Sequence, residues 1–469
     1  MFNTPPAHAA RPSTVHQHRN RSWFTAAALA LLTGSLGFST PSVAGPTIET
    51  WQTSSGSRTL FVAAPALPMV DLELVCDAGS ARDGNQGGLA TLTNGLLFSG
   101  AAGLDADQIA AGFDDLGAQT GASVDRDMAS VTLRSLSDPA YLTPALKLFS
   151  QVIGEPDFPE SDFQRERDNL LLALKHEQQQ PGAIASRAFY QSMYGTHPYA
   201  AMASGTQESV TALTQKQLRR FWNRHYTQSG CLITMVGALT TGQAKEISDQ
   251  ISAALPAGDS TNPPLPIPDF SFSKFTKPAD SSKKTDTLVQ ISHPSQQTHV
   301  LIGQPAVSRG DEDFFSLYVG NHVLGGGGLV SRISQVIRED HGLAYSAYSY
   351  FAPMRTDGPL VMGLQTRNDQ AEQAAQLLRG ELDKFLAEGP TEDELTAAKQ
   401  NLTGGFPLRI AGNGKIIGYL SMIGFYQLPL DYLDSWTEQV EAVTAESIRN
   451  AFNKRIDTDK LVEIRVGGE

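Results

Sequence analysis

The chain has 469 residues, of which 41% are hydrophobic, and a formal net charge of −13. This length exceeds what one hydrophobic core normally supports, so we expect at least two domains, and the composition excludes an intrinsically disordered chain. The acidic excess argues against a nucleic-acid partner, because such a partner requires a basic surface. Neutral or cationic peptides are repelled less by an acidic protein.

The first 44 residues have the pattern of a secretory signal peptide. Arg11, Arg19 and Arg21 precede an apolar run at 23–32, and small residues lead up to a cleavage point after Ala44. Cleavage would remove three basic residues and leave a net charge of −16. We therefore predict a periplasmic or secreted protein with no membrane span after leader removal, since no later segment has the apolar length of a transmembrane helix.

Two cysteines, Cys76 and Cys231, each lie in an apolar segment that reads as a strand. An oxidising compartment would permit a disulfide bond between them. Two buried free thiols fit the sequence equally well, because the sequence does not give the distance between the two residues.

Residues 87–98 read as a helix whose two faces differ. The leucines that share one face are Leu89, Leu92 and Leu96. Another face carries Thr91, Asn94 and Gly95, at the spacing of a zinc motif with two histidines and a glutamate. None of these three side chains can supply an imidazole ligand or a carboxylate base. From this segment alone, an ordinary core helix is the simpler interpretation.

Both strand and helix periodicities recur along the chain. Strand patterns lie at 72–76, 129–133, 231–236, 299–303, 360–365 and 461–466. Helix patterns lie at 106–116, 140–153, 161–177, 214–225, 311–324, 369–386, 391–403 and 444–452. Strands and helices do not strictly alternate, which favours an α+β fold over a doubly wound sheet.

A segment rich in Pro, Ser, Asp and Lys divides the chain into two similar halves. We predict a linker at 259–286 between an N-terminal domain at 45–258 and a C-terminal domain at 287–469. Residues 208–219 and 438–449 share Glu, Val, Ala, Thr and Arg at a constant offset of 230. The chain is therefore predicted to contain a duplicated domain.

The second half contains four consecutive glycines followed by a predicted helix. The glycines are Gly325, Gly326, Gly327 and Gly328. The apolar positions expected to form the buried stripe of the helix are Leu329, Ile333, Val336 and Ile337. Gly342 should end this helix, and alternating small and aromatic residues at 344–350 predict a strand.

The glycines are followed by Ser331, Arg332, Arg338 and the run Gly342-Leu343-Ala344-Tyr345. With these motifs the chain resembles the M16 zinc metallopeptidases, the family of pitrilysin and the mitochondrial processing peptidase. It is most similar in layout to bacterial two-domain subunits that work in pairs. The resemblance implies an α+β fold of two homologous domains, each a mostly antiparallel sheet with helices packed on it.

Active members of this family carry His-x-x-Glu-His after a Gly-Leu-Ala run and a further glutamate ligand downstream. Those positions correspond here to Thr91, Asn94, Gly95 and Ala173, and all four are substituted. No two of the seven histidines after residue 44 are three or four residues apart. The resemblance therefore implies no metal in this chain and zinc in a partner subunit.

The same resemblance implies a role for the residues that are retained. Arg338 and Tyr345 would bind a substrate carbonyl in the active site of a zinc-bearing homologue, and the glycine-rich segment would lie along the peptide. The implied assembly is a heterodimer that cleaves unfolded peptides, in which this chain alone hydrolyses nothing. A homodimer of the isolated chain is left open.

Two other functions compete with this interpretation. A structural or peptide-binding protein, like the core subunits of respiratory complexes that share the fold, would bury the same faces without an active partner. A nucleotide-binding enzyme is suggested only by glycines before a helix. This second signal is weak, because the third glycine of a dinucleotide motif would fall on Val330 and no phosphate-binding lysine follows.

Overall fold

Two β-sheets, one in each half of the chain, organise the molecule. The computed structural model describes residues 45–258, 262–268 and 287–468. The predicted signal peptide at 1–44 and most of the predicted linker at 259–286 lie outside the described residues. Among the described residues, no helix is both long and apolar enough to cross a membrane.

The first half contains eight strands and eight α-helices within its described residues. The strands are β1 Glu49–Gln52, β2 Arg58–Ala63, β3 Met69–Cys76, β4 Gly100–Ala101, β5 Leu104–Asp105, β6 Gln119–Val124, β7 Ala129–Leu136 and β8 Cys231–Gly237. The helices are α1 Leu89–Gly95, α2 Ala106–Asp114, α3 Pro139–Gly154, α4 Glu160–Glu177, α5 Pro181–Tyr194, α6 Gln207–Thr211, α7 Gln215–His225 and α8 Thr241–Ala254.

The second half contains five strands and seven α-helices within its described residues. The strands are β9 Thr287–Ile291, β10 Gln297–Val307, β11 Ala347–Phe351, β12 Gly358–Arg367 and β13 Val462–Val466. The helices are α9 Phe314–Asn321, α10 Arg332–Ser334, α11 Ala371–Glu388, α12 Glu392–Arg409, α13 Asn413–Phe425, α14 Tyr432–Ala442 and α15 Ala445–Arg455.

The two large sheets have the same topology. The strand order is β1-β2-β8-β3-β7-β6 in the first sheet and β9-β13-β10-β12-β11 in the second, so that only β1 has no counterpart among the described residues. The pairs β2–β8 and β9–β13 are parallel, and the other neighbours in these sheets are antiparallel. Helices α7 and α15 both begin after a threonine that forms a capping box, Thr214 and Thr444. The predicted α+β fold and the duplication are both confirmed.

The predicted helix after the four glycines is wrong in its details. A 3₁₀ turn at Gly328–Val330 is followed by the single turn α10 and by a π-helical stretch, Gln335–Asp340. Ile333 and Ile337 are buried as expected, but Leu329 is 63% exposed. The cause is local, since Gly328 adopts a φ of +65° and turns the chain before the helix begins. The following strand also starts later than predicted, at Ala347.

Cys76 and Cys231 form a disulfide bond, which resolves the alternatives that the sequence left open. The two residues lie directly opposite each other on the adjacent strands β3 and β8. Both are almost completely buried. The bond therefore joins two strands in the middle of the first sheet.

The two halves exchange one helix each. Helix α5 of the first half packs on β10 and β13 of the second sheet, whereas α13 of the second half packs on β8 and β3 of the first sheet. Apolar residues of α5, such as Phe189 and Met193, share a core with Ile464 of β13. Ser421 of α13 donates a hydrogen bond to the carboxylate of Glu73 at 2.7 Å. Each half thus completes the core of the other.

The short described part of the linker lies against the first half. The carbonyl oxygen of Pro263 accepts a hydrogen bond from Arg82, and that of Pro266 lies 2.8 Å from Nε2 of His197. Leu265 is buried in the core cluster that contains α5. This stretch is therefore packed rather than free.

Candidate functional site

Asn94, at the position where active members of the resembled family carry the glutamate base, is an internal structural residue. It is 1% exposed. Its side-chain amide donates hydrogen bonds to the carbonyl oxygens of Ser123 at 2.9 Å and Ser130 at 3.1 Å, and its oxygen accepts one from the hydroxyl of Tyr226 at 2.8 Å. A carboxylate could not donate these two bonds, so this position is built for an amide.

The other degenerate positions are equally unsuited to a metal. Thr91 donates its hydroxyl proton to the carbonyl oxygen of Ala203 at 2.6 Å. Gly95 is exposed, and nothing lies within 4 Å of the place where its Cβ would be. Ala173 is exposed on α4, the helix that packs beside α1. None of the four side chains can coordinate zinc, so this site does not fit the metal of the active family members.

A metal site built elsewhere is not found in the described part of the chain. No group of three or more His, Cys, Asp or Glu side chains there is arranged to hold a metal ion.

An equivalent of Asn94 occupies the second half. Asn321, at the end of α9, donates its amide to the carbonyl oxygen of Ser349 at 3.1 Å and accepts a hydrogen bond from the Ser349 hydroxyl at 2.7 Å. Ser349 lies on β11 and Ser123 lies on β6, the edge strands that correspond in the two sheets. In both halves, therefore, an asparagine of the adjacent helix forms hydrogen bonds that hold the edge strand in place.

Three of the four glycines are required by packing. A Cβ on Gly325 would lie 2.3 Å from Oγ of Ser349, and one on Gly326 would lie 2.6 Å from Nδ2 of Asn321. A Cβ on Gly327 would lie 2.6 Å from the carbonyl oxygen of His322. Gly328 differs, because its positive φ favours glycine while the space around it is open. The glycines therefore let the segment lie close against β11 and then turn outward.

The segment that follows is anchored by Ser331 and Arg332. Ser331 is fully buried and caps α10 by accepting a hydrogen bond from the backbone of Ser334. The guanidinium of Arg332 donates to both carboxylate oxygens of Glu394, at 2.7 and 2.6 Å, and to the carbonyl oxygen of Gly389 at 3.0 Å. These bonds lower the pKa of Glu394 to about 2. The paired guanidinium ties the glycine-rich segment to α12.

Arg338 and Tyr345 lie together at the surface. The guanidinium carbon of Arg338 is 4.9 Å from the centre of the Tyr345 ring, within the range of a cation–π contact. Arg338 also approaches Glu339 at 3.4 Å. The Tyr345 side chain is 86% exposed. Arg338 lies in the π-helical stretch, a kind of irregularity that is common at functional sites.

The two halves of the chain match two models of one peptidase family. Residues 58–207 match the model described as Insulinase (Peptidase family M16), and residues 212–402 match the one described as Peptidase M16 inactive domain. A crystal structure described as a peptidase M16 inactive domain from Pseudomonas fluorescens is 38% identical. It superposes with a TM-score of 0.84 over 90% of this chain and 98% of that one. This chain belongs to peptidase family M16.

More distant M16 relatives cover most of the chain as well. An uncharacterized zinc protease of Bacillus subtilis, YmxG, is 24% identical over 88% of this chain and 96% of its own length. A protease structure from Helicobacter pylori is 17% identical, with a TM-score of 0.79 over 90% of this chain and all of that chain. The periplasmic protease PqqL of Escherichia coli is 13% identical, with a TM-score of 0.72 over 91% of this chain and 46% of that one. At these identities the structures establish the M16 fold alone.

Sequence reasoning singled out the four degenerate positions, the glycines, Arg338 and Tyr345, and it left two contributors without a role. The ion pair between Arg332 and Glu394 and the hydrogen bonds between Asn321 and Ser349 were not predicted. Arg332 was marked only by its place in the Ser331-Arg332 motif after the glycines, which carried the resemblance but did not indicate its partner. No comparable signal marked Asn321, since its partner is a backbone carbonyl on a distant strand.

Proposed function

We propose that this chain is the non-catalytic subunit of a heterodimeric M16 metallopeptidase that cleaves unfolded peptides. One observation carries the proposal. The exposed pair Arg338 and Tyr345 is retained next to the glycine-rich segment, while every zinc-ligand position of the first half carries a side chain that cannot bind metal. A zinc-bearing homologue would provide the metal and the base.

The chemistry of the pair suits a carbonyl oxygen. During peptide hydrolysis negative charge develops on the oxygen of the scissile carbonyl, and preorganised donors that reach it stabilise the transition state. The Arg338 guanidinium is permanently charged, and the Tyr345 hydroxyl is an additional donor. Loss of one such donor typically costs about 3–4 kcal/mol in the transition state. The partner's zinc would supply the activated water.

The glycine-rich segment supports peptide binding beside the pair. Gly328 faces open space, so the backbone at this point is accessible to an extended chain. The neighbouring Leu329 and Val330 are 63% and 82% exposed, which provides apolar surface for side chains of a peptide. The other three glycines are occupied by packing within the subunit, so we assign them a supporting role.

Three observations support a periplasmic location. The first 44 residues have the composition of a cleavable leader. The Cys76–Cys231 disulfide is of a kind that persists in oxidising compartments. The E. coli structural neighbour PqqL is a periplasmic protease.

Reconstitution with a zinc-bearing M16 homologue, encoded near this chain, tests the proposal. We expect no peptide cleavage by this chain alone, cleavage by the pair, and a loss of at least a hundredfold in kcat/KM when Arg338→Ala is combined with Tyr345→Phe. Arg367→Ala is the matched control, because Arg367 is an exposed arginine paired only with Asp369. Full activity of the pair with the double variant would refute the proposal, as would zinc-dependent cleavage by the chain alone.

A further inference from the structure

Four tyrosines lie on or beside the edge strand of the second sheet, and we call them the tyrosine row: Tyr348 and Tyr350 on β11, Tyr345 just before it, and Tyr190 on α5. Tyr348 and Tyr350 alternate with the buried Ala347 and Ser349 on β11, so they share the opposite face of the sheet. Their rings stack at a centroid distance of 5.9 Å and an angle of 15°. Tyr350 lies close enough to Tyr190 of α5 for the two hydroxyls to interact electrostatically.

The two outer tyrosines of the row are already covered by arginines of this chain. Arg338 lies 4.9 Å from the ring centre of Tyr345, and Arg126 lies 3.6 Å from that of Tyr190. No arginine or lysine of the described residues covers the ring of Tyr348 or Tyr350. Arg126 is near enough to Tyr350 to act on it electrostatically, but it lies over the ring of Tyr190 and not over either middle ring.

The middle tyrosines are accessible, and their polar atoms are unused. Tyr348 and Tyr350 are 38% and 42% exposed. Within the described part of the chain, neither hydroxyl takes part in a hydrogen bond. Helix α5 packs on this face of the sheet mainly at β10 and β13, it approaches β11 through Tyr190, and β11 is the edge strand of the sheet. A ligand could therefore reach both rings from the open edge.

A structural explanation accounts for only part of this arrangement. The ring of Tyr348 lies over Gly363 of β12, where a Cβ would come within 2.7 Å of the ring, so Tyr348 fills the space that the glycine leaves. Tyr350 has Val361 opposite and fills no such gap. Aromatic residues are common in strands, but two adjacent stacked rings with free hydroxyls exceed what β-sheet packing requires.

We propose that Tyr348 and Tyr350 bind arginine side chains of an extended peptide substrate. This inference rests on the proposed function, in which Arg338 and Tyr345 hold a peptide carbonyl at the start of the same segment. Tyr348 is three positions after Tyr345, a reach of at most roughly 11 Å. A peptide clamped at Tyr345 and running along β11 would thus place residues about three and five positions away against the two rings.

The charge of the molecule favours such a peptide. The chain has 49 acidic and 36 basic residues, so a cationic peptide is attracted and an acidic one is repelled. Tyrosine faces attract guanidinium groups, which stack on them as flat cations, more effectively than they attract ammonium groups. The surface is therefore expected to prefer arginine over lysine, and lysine over a neutral polar residue.

Fluorescence anisotropy on the isolated full chain tests the proposal without the zinc-bearing partner. The probe is a fluorescein-labelled peptide of about twelve residues with arginines at alternate positions, which an extended chain presents on one face. Matched probes replace these arginines with lysine or serine. We expect Tyr348→Ser combined with Tyr350→Ser to weaken binding of the arginine probe roughly tenfold, since two cation–π contacts are lost.

Three controls make the result specific. Tyr141→Ser removes a tyrosine of equal exposure, 40%, on α3 and should leave binding unchanged. Tyr348→Phe with Tyr350→Phe keeps the aromatic faces and the cover over Gly363, so it should retain binding within about threefold. Tyr350→Ser alone leaves that cover in place and should weaken binding, which separates loss of the surface from misfolding.

Two outcomes would overturn the proposal. Equal affinity of the arginine probe for the wild-type chain and for the folded Tyr350→Ser chain would show that the rings do not bind it. Equal affinity for the arginine and lysine probes, independent of the tyrosines and abolished by salt, would show only general attraction to an acidic surface. Neither outcome bears on the activity of Arg338 and Tyr345, which the reconstituted pair measures separately.

Discussion

Asn94 shows how one of the four substituted positions has become part of the packing of this chain. A glutamate at this place would turn two carboxylate oxygens toward the carbonyl oxygens of Ser123 and Ser130, which accept hydrogen bonds from the amide here. The second half has the same device in Asn321 and Ser349. The first half is thus built at this point like its metal-free counterpart, and the substitution is part of its packing.

We predict that Asn94→Asp lowers the free energy of unfolding by roughly 3 kcal/mol, because two buried carbonyl groups lose their donor and a carboxylate is buried beside them. Urea denaturation measures the change. Asn223→Asp, an exposed asparagine that donates only to the carbonyl of Arg219, is the matched control and should change little. Equal stability of the two variants would show that the Asn94 contacts do not contribute.

His225 should make the stability of the fold depend on pH. It is 4% exposed, and burial lowers the pKa of its imidazole from 6.5 to about 4. The neutral form is therefore favoured in the folded state, so the stabilisation is complete above pH 6.5 and is lost as the pH falls toward 4.

Between pH 7 and pH 5 we expect this residue to account for a loss of about 2 kcal/mol in the free energy of unfolding. Chemical denaturation at both pH values of the wild type and of His225→Leu measures the effect. The variant cannot titrate at this position, so its loss on acidification should be smaller by that amount. The same pH dependence in both proteins would contradict the assignment.

At the scale of elements, Arg332 adds a polar attachment to the segment from Gly328 to Asp340, beside the buried Ile333 and Ile337. The Arg332 side chain is 12% exposed and pairs with Glu394, 3.8 Å from a second carboxylate, Glu381. The guanidinium also lies over the ring of Phe385. The position of Arg338 in the chain therefore depends on contacts made six residues earlier.

We predict that Arg332→Ala lowers the free energy of unfolding by about 3 kcal/mol, since it leaves two partly buried carboxylates without their partner. In the reconstituted pair it should also lower kcat/KM, and much less so when Arg338 is already alanine, because Arg332 acts through the placement of Arg338. Arg379→Ala breaks another ion pair of this half, with Glu463, and serves as the control that affects stability alone. Additive effects of Arg332→Ala and Arg338→Ala on kcat/KM would exclude a positioning role.

Many elements with a strong local pattern could be read from the sequence, but the regular helices α5, α8, α13 and α14 were not predicted. All six predicted strands are present, because their β-branched and apolar runs are decided locally. The helix after the glycines was predicted as regular, and neither its π-helical stretch nor the pairing of Arg332 with a residue 62 positions away could be read from local periodicity. The exposure of Leu329 follows from the φ of Gly328, which apolar periodicity does not report. Arg338 and Tyr345 were found through the family resemblance, not through periodicity.

At the scale of the whole molecule, a buried carboxylate joins the two halves. Asp127, at the tip of the β6–β7 hairpin, is 2% exposed. It accepts hydrogen bonds from the Tyr199 hydroxyl of the first half, and from the Tyr426 hydroxyl at 2.9 Å and the Arg355 backbone amide at 2.8 Å in the second half. Burial raises the pKa of Tyr426, so its hydroxyl stays protonated as a donor.

We predict that Asp127→Asn lowers the free energy of unfolding by roughly 3 kcal/mol. The carboxylate accepts three hydrogen bonds, whereas the amide that replaces it has a single acceptor oxygen and an NH2 group that can only donate. Tyr426→Phe removes a single bond and should cost about 1 kcal/mol. Thermal and urea unfolding of both variants measure the difference. A cost for Asp127→Asn no larger than that for Tyr426→Phe would show that the other two bonds do not stabilise the contact between the halves.

The duplication could be predicted from the sequence because the two copies still share residues at a fixed offset. The exchange of α5 and α13 was not, for a physical reason. An amphipathic pattern shows that a helix is buried on one side, but it contains no information on which of two similar sheets covers that side. The role of Asp127 was hidden for a similar reason, because an acidic residue between two strands does not show which half of the chain supplies its hydrogen-bond donors.

The reciprocal placement of α5 and α13 also has a consequence for biosynthesis. When β8 has been synthesised, every strand of the first sheet has been made. Helix α13, which packs on that sheet, is completed only at Phe425. Until α13 has been made, the face of the first sheet that it covers remains exposed. Exposed apolar surface of this kind favours aggregation or binding by chaperones. If the leader directs export, as we propose, threading of the unfolded polypeptide across the membrane would postpone this stage until α13 has been made.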